Sequence, residues 1–361
     1  MSRIDDLIKE LAPKGVAYKS LGDLVRIRNG RDYKHLGEGE IPVYGSGGVM
    51  TYVDTAAYNL PSVLIPRKGS LSKLYYVDEP FWTVDTIFYT EIGNQLVAKF
   101  LYYFLATQRL EEMNKAGGVP SLTQGELNKV RIPVPPLEVQ REIVRILDHF
   151  TELEAELEAE LEARRRQYAF YRDQLLTFPE AGVRRVPMGE LAAIGTGSHD
   201  TQDAVVNGEY VFYARGREPL RLDSFDFDER AIITAGDGVG VGKVFHFADG
   251  KYALHQRAYR IVPNERLDAR YLYHFLVTDF SRYLAMTSVH ASVTSLRKPM
   301  FENYLVPVPP LVEQKRISGI LDKFDALVHD LSDGLPAELN ARRKQYEYYR
   351  DKLLTFEEAA A

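Results

Sequence analysis

Cysteine is absent from this 361-residue sequence, which excludes disulfides and thiolate metal sites. Histidine is scarce, eight in all, and none falls at the HxxxH or HExxH spacing that holds a metal on one helix face, so no metal site is expected. No run of 18 apolar residues exists, and the N-terminal MSRIDDLIKELAPKG is amphipathic, unlike a signal peptide. These absences point to a cytoplasmic protein with no membrane contact. Excess positive charge is also lacking: the formal charge is −6, whereas a duplex-DNA binder is usually basic. Much of the acid is local, because Pro135–Phe178 holds 10 acids against 6 bases, while Tyr18–Val134 holds 13 bases against 12 acids. Net charge therefore argues only weakly against a nucleic-acid role.

What is present is a duplication. IPVPPLEVQREIVRILDHF from Ile132 returns as VPVPPLVEQKRISGILDKF from Val306, and ARRRQYAFYRDQLLTF from Ala163 returns as ARRKQYEYYRDKLLTF from Ala341. The offset grows from 174 to 178 residues between these motifs, so the first copy is four residues shorter. The difference falls in a run of three four-residue words, ELEA at 152, 156 and 160. Upstream, YKSLGDL at 18–24 answers RVPMGEL at 185–191, KLYYV at 73–77 answers KVFHF at 243–247, and FLYYFLAT at 100–107 answers YLYHFLVT at 271–278. A repeat of roughly 170 residues is too long for a solenoid unit and fits two homologous domains, each followed by a long helix.

Within the first copy, Ile4, Leu7, Ile8 and Leu11 share one face of a helix that should stop at Pro13 and Gly15. Strands are expected at 41–44, 62–66, 74–77 and 84–90, with a helix at 97–110. Val139, Ile143, Ile146, Phe150, Leu153, Leu157, Leu161, Tyr168, Tyr171 and Leu175 then form one apolar stripe over about 40 residues, a rod of about 60 Å. A rod with one stripe needs a partner, and its duplicate is the nearest. In that duplicate, Ser332-Asp333-Gly334-Leu335-Pro336 should break the helix, with Pro336 near the start of a new segment. The leading helix resembles the material after YRDQLLTF, which predicts that it docks beside the C-terminal helix and closes the chain into a pseudo-two-fold ring.

Catalytic signatures fail. In GDGVGVGK at 236–243, Asp237 stands where a phosphate loop needs its first Gly and Val244 where it needs Ser or Thr, leaving a glycine-rich turn between strands or a backbone close to DNA. The PVPPL segments lack the residues that flank the Pro pair of amino-methyltransferases, and no carboxylate pair with a Glu-x-Lys nuclease pattern occurs. No catalytic residue is assigned. Hydrogen-bonding side chains do cluster on loops, the residues that read base edges or neutralise phosphates. One cluster is Arg26, Arg28, Asn29, Arg31, Tyr33 and Lys34; a second is Arg67, Lys68, Ser70 and Lys73; a third is Arg215 and Arg217. Lys243, His255, Gln256, Arg257, His290, Ser292, Ser295, Arg297 and Lys298 extend the set. For any one of them a solvated surface is the simpler explanation; as a set in two equivalent domains they favour DNA, whereas Tyr18, Trp82 and most Tyr and Phe should be core. A helical scaffold joining two protein-binding domains is the alternative from another class.

The doubled PVPPLxxQxxIxxILD segment, preceded by Ser121-Leu122 and Ser295-Leu296, and the doubled RRxQYxxYRDxLLTF ending resemble the specificity subunit of type I restriction-modification systems. Nearly the whole chain is covered. The resemblance implies an α+β fold: two homologous mixed α/β target-recognition domains separated by two long antiparallel coiled-coil helices, with pseudo-two-fold internal duplication. The expected boundaries are 1–17 for the helix closing the ring, 18–134 and 185–308 for the two domains, and 135–178 and 309–356 for the long helices. It implies that each domain reads half of a split, asymmetric site in double-stranded DNA and that the helices bind two methyltransferase subunits, with or without two restriction/translocase subunits. The residues expected at that partner surface are Gln140, Ile143, Ile146, Leu147, Tyr168 and Tyr171 in the first copy, and Gln314, Ile317, Ile320, Leu321, Tyr346 and Tyr349 in the second. S-adenosylmethionine, ATP and magnesium belong to those partners; no cofactor is expected in this chain. A recognition subunit of another restriction-methylase class stays open beside it.

Overall fold

A computed structural model describes residues 2–113, 121–179, 182–287, 295–330 and 334–359. The chain divides into two compact units, Met1–Leu157 with Leu339–Ala361, and Glu158–Glu338. The division cuts the long helices, because their two ends pack on different cores.

The first unit opens with α1 (Ser2–Leu11), which stops ahead of Pro13, with Gly15 in the left-handed region at φ +91°. Then come β1 (Ala17–Ser20), α2 (Leu21–Leu24), β2 (Val25–Asn29), β3 (Ile41–Gly45), β4 (Gly48–Val53), β5 (Ser62–Pro66), β6 (Tyr75–Val77), β7 (Trp82–Thr83) and β8 (Ile87–Ile92). Next follow α3 (Ala98–Thr107), α4 (Gln124–Leu127), β9 (Arg131–Val134) and α5 (Leu137–Leu176). Strands β2-β8-β5-β6 form one sheet, β4-β3-β7 a second, and β1 pairs with β9. The expected strand at 84–90 is displaced to β8, because Val84 to Ile87 close a turn instead: the Ile87 N–H reaches the Val84 carbonyl at 3.2 Å.

The second unit holds β10 (Arg185–Pro187), β11 (Ala192–Thr196), β12 (Tyr210–Tyr213), β13 (Leu220–Leu222), β14 (Phe227–Ala235), β15 (Phe245–Leu254) and β16 (Ala258–Pro263). It continues through α6 (Ala269–Thr287), α7 (Lys298–Glu302), β17 (Leu305–Pro307) and α8 (Leu311–His329) to the start of α9 (Leu335–Leu353). Its sheet order, β11-β16-β14-β15-β12-β13, repeats β2-β8-β5-β6 followed by β3-β4. One long strand, β15, stands where the first unit has both β6 and β7. Pro80 lies between those two short strands, and a residue without an N–H cannot continue a ladder, so one six-stranded sheet becomes two smaller ones.

The duplication reaches individual contacts. Gln140 accepts from the Val97 N–H at 2.8 Å and donates to the Gln95 and Pro135 carbonyls at 2.9 and 2.8 Å. Gln314 accepts from the Asp268 N–H at 2.7 Å and donates to the Arg266 and Pro309 carbonyls at 3.1 and 2.8 Å. On the next turns, Asp148 binds Lys99 and the Tyr103 hydroxyl, while Asp322 binds Arg270 and His274. Lys99 lies over Tyr76 and Arg270 over Phe247. Each domain is thereby bolted to the root of its own helix.

These contacts correct part of the partner surface. Gln140, Gln314, Ile143, Leu147, Ile317 and Leu321 are buried inside their own units, and a side chain committed to its own core cannot face another subunit. Apolar spacing alone cannot say which neighbour a stripe faces: the first turns of α5 and α8 face their own domains. Further along, Phe150 stacks on Tyr349 with centroids 5.5 Å apart and also meets Tyr346, while Tyr168 and Tyr171 stack on Phe324. Phe150 meets Tyr346 and Tyr349 while Glu154, further along α5, binds Arg343, so numbers rise along α5 as they fall along α9 and the two helices run antiparallel. Tyr168 is buried by its contacts, Ile146 and Ile320 are half-buried, and Tyr171 is the more open of the α5 pair.

The helix break occurs as expected. Gly334 closes over the end of α8, where an added Cβ would lie 2.6 Å from the Ala326 carbonyl oxygen, and Pro336 is the second residue of α9. Residues 331–333 lie outside the described residues. Ile4, 1% exposed, joins Leu353 and Leu354 in the first unit's core, and the Ala359 N–H binds the Val16 carbonyl at 3.0 Å, so the N-terminal helix does meet the C-terminal one. Among the described residues, no helix is long and apolar enough to cross a membrane.

Candidate nucleic-acid interface

In the first unit the segment 83–88 gathers two of the expected clusters at one end of the β2-β8-β5-β6 sheet. The Gly30 and Arg31 N–H groups bind the Ile87 and Thr83 carbonyls, and those of Arg67 and Lys68 bind that of Thr86. Asn29 accepts from Gln124 at 3.3 Å. Lys73 donates to the Gly47 carbonyl at 3.1 Å, tying the 67–73 loop to the turn between β3 and β4. Arg31, Lys34, Lys68 and Ser70 are exposed around this rim, and Arg67 is half-buried above Phe88.

Three residues of the first cluster sit otherwise. Tyr33, half-buried, packs against the cluster of Val43, Val53, Trp82 and Val84, so it is corrected to a residue that supports the loop. Arg26 and Arg28 alternate outward along β2, and Arg28 makes a two-pronged pair with Glu91 on β8 at 2.9 and 3.1 Å. That hydrogen bond, with the carboxylate's charge, raises the pKa of Arg28 above the ordinary value. An arginine held by both prongs must leave Glu91 before it can read a base.

The second unit builds the same rim from other side chains. Arg215 donates from Nη1 to Asp237 Oδ1 at 2.9 Å, and Arg257 from Nη1 to Asp237 Oδ2 at 3.1 Å. Burial opposes ionisation of Asp237, but its bonds to Arg215 and Arg257 outweigh this and hold its carboxyl below the usual range. Gln256 donates to Asp200 at 2.9 Å. Lys243, Arg217, Ser295, Arg297 and Lys298 are exposed, Lys298 lying 3.6 Å from Glu302. His290 and Ser292 lie outside the described residues.

His255 is another correction: it is 2% exposed, stacks on Phe212, and accepts the Arg257 N–H on Nδ1 at 2.9 Å. Burial first, then the charge of Arg215, lowers its pKa, which agrees with an unprotonated accepting nitrogen. It anchors the loop that carries Gln256 and Arg257. GDGVGVGK proves to be the turn between β14 and β15, with Gly238 and Gly242 in the left-handed region.

The two rims share backbone bonds at corresponding residues. Lys68 makes an isolated antiparallel bridge to Ser121, and Asp237 makes one to Ser295. The Leu122 N–H binds the Arg67 carbonyl at 2.9 Å, and that of Leu296 binds the Gly236 carbonyl at 2.7 Å. Gly69 and Gly238 follow at φ +86° and +81°, a conformation that glycine adopts without strain. One loop design therefore carries a lysine in one domain and an aspartate in the other.

Comparison with known proteins fits this duplicated architecture. The family model for the type I restriction modification DNA specificity domain matches residues 13–163 and again 182–341. The chain belongs to that family. A type I restriction enzyme specificity subunit of Escherichia coli is 34% identical, over 73% of this chain and 72% of its own length. A relative from Haemophilus influenzae is 28% identical over 88% and 89%. The crystal structure of a type I restriction-modification S subunit from M. genitalium has a TM-score of 0.68 at 17% identity, covering 94% of this chain and 96% of that one, which shows the shared fold.

The long helices also carry exposed aromatic side chains that sequence reasoning missed. Phe170 and Tyr348 occupy matching places in the two RRxQYxxYRD motifs and are each 62% exposed. Each meets its following tyrosine edge-on, Phe170–Tyr171 at 5.5 Å and Tyr348–Tyr349 at 5.3 Å. The signal was the repeat itself: an aromatic preserved between copies at a position outside the apolar stripe.

Proposed function

We propose that this chain is the sequence-reading subunit of a type I system, each domain contacting one half of a split, asymmetric DNA target while the helices hold two methyltransferase subunits. The observation that supports it best is the rim built twice on one strand order with different side chains. Matching backbone bonds support a like presentation of both loops, and differing side chains support two unlike half-sites. The chain supplies recognition, and the methyl-donor and nucleotide chemistry is assigned to its partners, with S-adenosylmethionine, ATP and magnesium bound there.

Affinity for DNA without the target should come from phosphate neutralisation and fall at least about tenfold between 50 and 200 mM salt, the response of roughly two or more phosphate contacts. Fluorescence anisotropy with a random duplex checks this. A chain that binds no duplex at 50 mM salt is a protein scaffold instead.

The partner face is placed on the outer aromatics. Replacing both Phe170 and Tyr348 with Ala should cut recovery of the methyltransferase on the tagged chain at least about tenfold, since exposed aromatic anchors at interfaces are worth about 1–2 kcal/mol or more each. The melting temperature should stay unchanged. Undiminished recovery would remove these residues from the interface.

A further inference from the structure

Asp237 has no counterpart in the first domain, where the same loop position carries Lys68. A carboxylate on a phosphate-facing rim weakens attraction to DNA, so its placement between two arginines calls for another benefit. It uses one Nη1 donor of each guanidinium, at 2.9 and 3.1 Å. Among the described residues the Nε and Nη2 donors of both have no other partner, the pair of neighbours a fork needs to grip guanine O6 and N7 together.

The support beneath is rigid. Asp237 is held by its bridge to Ser295 and is followed by the left-handed Gly238. Arg257 is fixed at its backbone by buried His255. Gly240 approaches the Arg215 carbonyl so closely that an added Cβ would lie 2.7 Å away. An unheld arginine carries about 2 kcal/mol of rotamer entropy, much of which must be lost when it reads a base.

We propose that Asp237 is the positioning residue of the second half-site, presetting Arg215 and Arg257 so that their open edges read guanine. The inference rests on the DNA-reading role proposed above and adds to it a residue and a base. The first domain, with Lys68 at this place, reads by a different chemistry.

Selection of bound duplexes from a randomised library by the full-length chain tests it. The wild type should return a half-site containing guanine at fixed positions. Asp237→Asn should lose preference there by between about fivefold and 150-fold for each fork released, leaving the other half-site intact. Its affinity for random duplex at low salt should be equal or higher, because one negative charge is gone; a merely structural role would lower it. Arg215→Lys keeps the charge but removes the fork, so it should lose guanine preference at one position, and it tests the guanine reading if Asp237→Asn does not fold. A second half-site without guanine, or full preference retained in either folded variant, overturns the proposal. A wild type that selects no sequence at all overturns the DNA-reading role and this inference with it.

Discussion

Replacing Gln314 with Ala should lower the melting temperature of the second unit by roughly 6 to 12 °C. The side chain is fully buried and joins α8 to the entry of α6 through the Asp268 N–H and the Arg266 and Pro309 carbonyls, at 2.7 to 3.1 Å. Alanine leaves these three backbone groups without their partner, and each buried group left unsatisfied costs about 1–3 kcal/mol. Partial relaxation brings the sum to about 3 kcal/mol, and each kcal/mol moves the melting point of a domain of this size by about 2–4 °C. Lys315→Ala, an exposed neighbour, should melt like the wild type. Calorimetry on both variants checks this. If Gln314→Ala melted normally but released the methyltransferase, the glutamine would face the partner after all.

That pair of glutamines shows how the sequence was readable and where it stopped. Gln140 and Gln314 stood out because both copies of the PVPPL segment carry them, and repetition is visible in letters. What they touch is not, because their partners are backbone groups of Gln95 and Arg266, residues unlike each other and remote in sequence. The same limit hid Asp237, which in the letters was only the residue that spoiled a phosphate-loop motif. Its meaning needed the register that sets it opposite Ser295, as Lys68 is set opposite Ser121. His255 and Tyr33 were misplaced for a related reason: both are polar enough for a surface and large enough for a core, and only packing decides. Element order, the strands β3 and β5, the 40-residue helix and the break before Pro336 were legible because periodicity, Gly and Pro act locally.

The second large effect concerns spacing. Deleting Glu156–Ala159, one ELEA word, should shorten the unspecified gap between the two half-sites by about one base pair and leave both half-sites unchanged. The word lies in the uninterrupted helix α5, and three of its four residues are exposed, so little packing is lost. The division between the two units falls inside it, between Leu157 and Glu158. Four residues remove about 6 Å of helix and about 40° of rotation beyond a full turn. One base pair contributes about 3.4 Å and roughly 35°. The rotations nearly match, and rotation decides which groove edge a reader faces.

Mapping of methylated adenines in DNA modified by the chain with its methyltransferase, wild type beside the Glu156–Ala159 deletion, tests the division into two readers and a helical spacer. The expected result is a split motif in both cases, with identical halves and a gap one base pair shorter in the deletion. The same gap in both proteins, or a single contiguous motif, contradicts it.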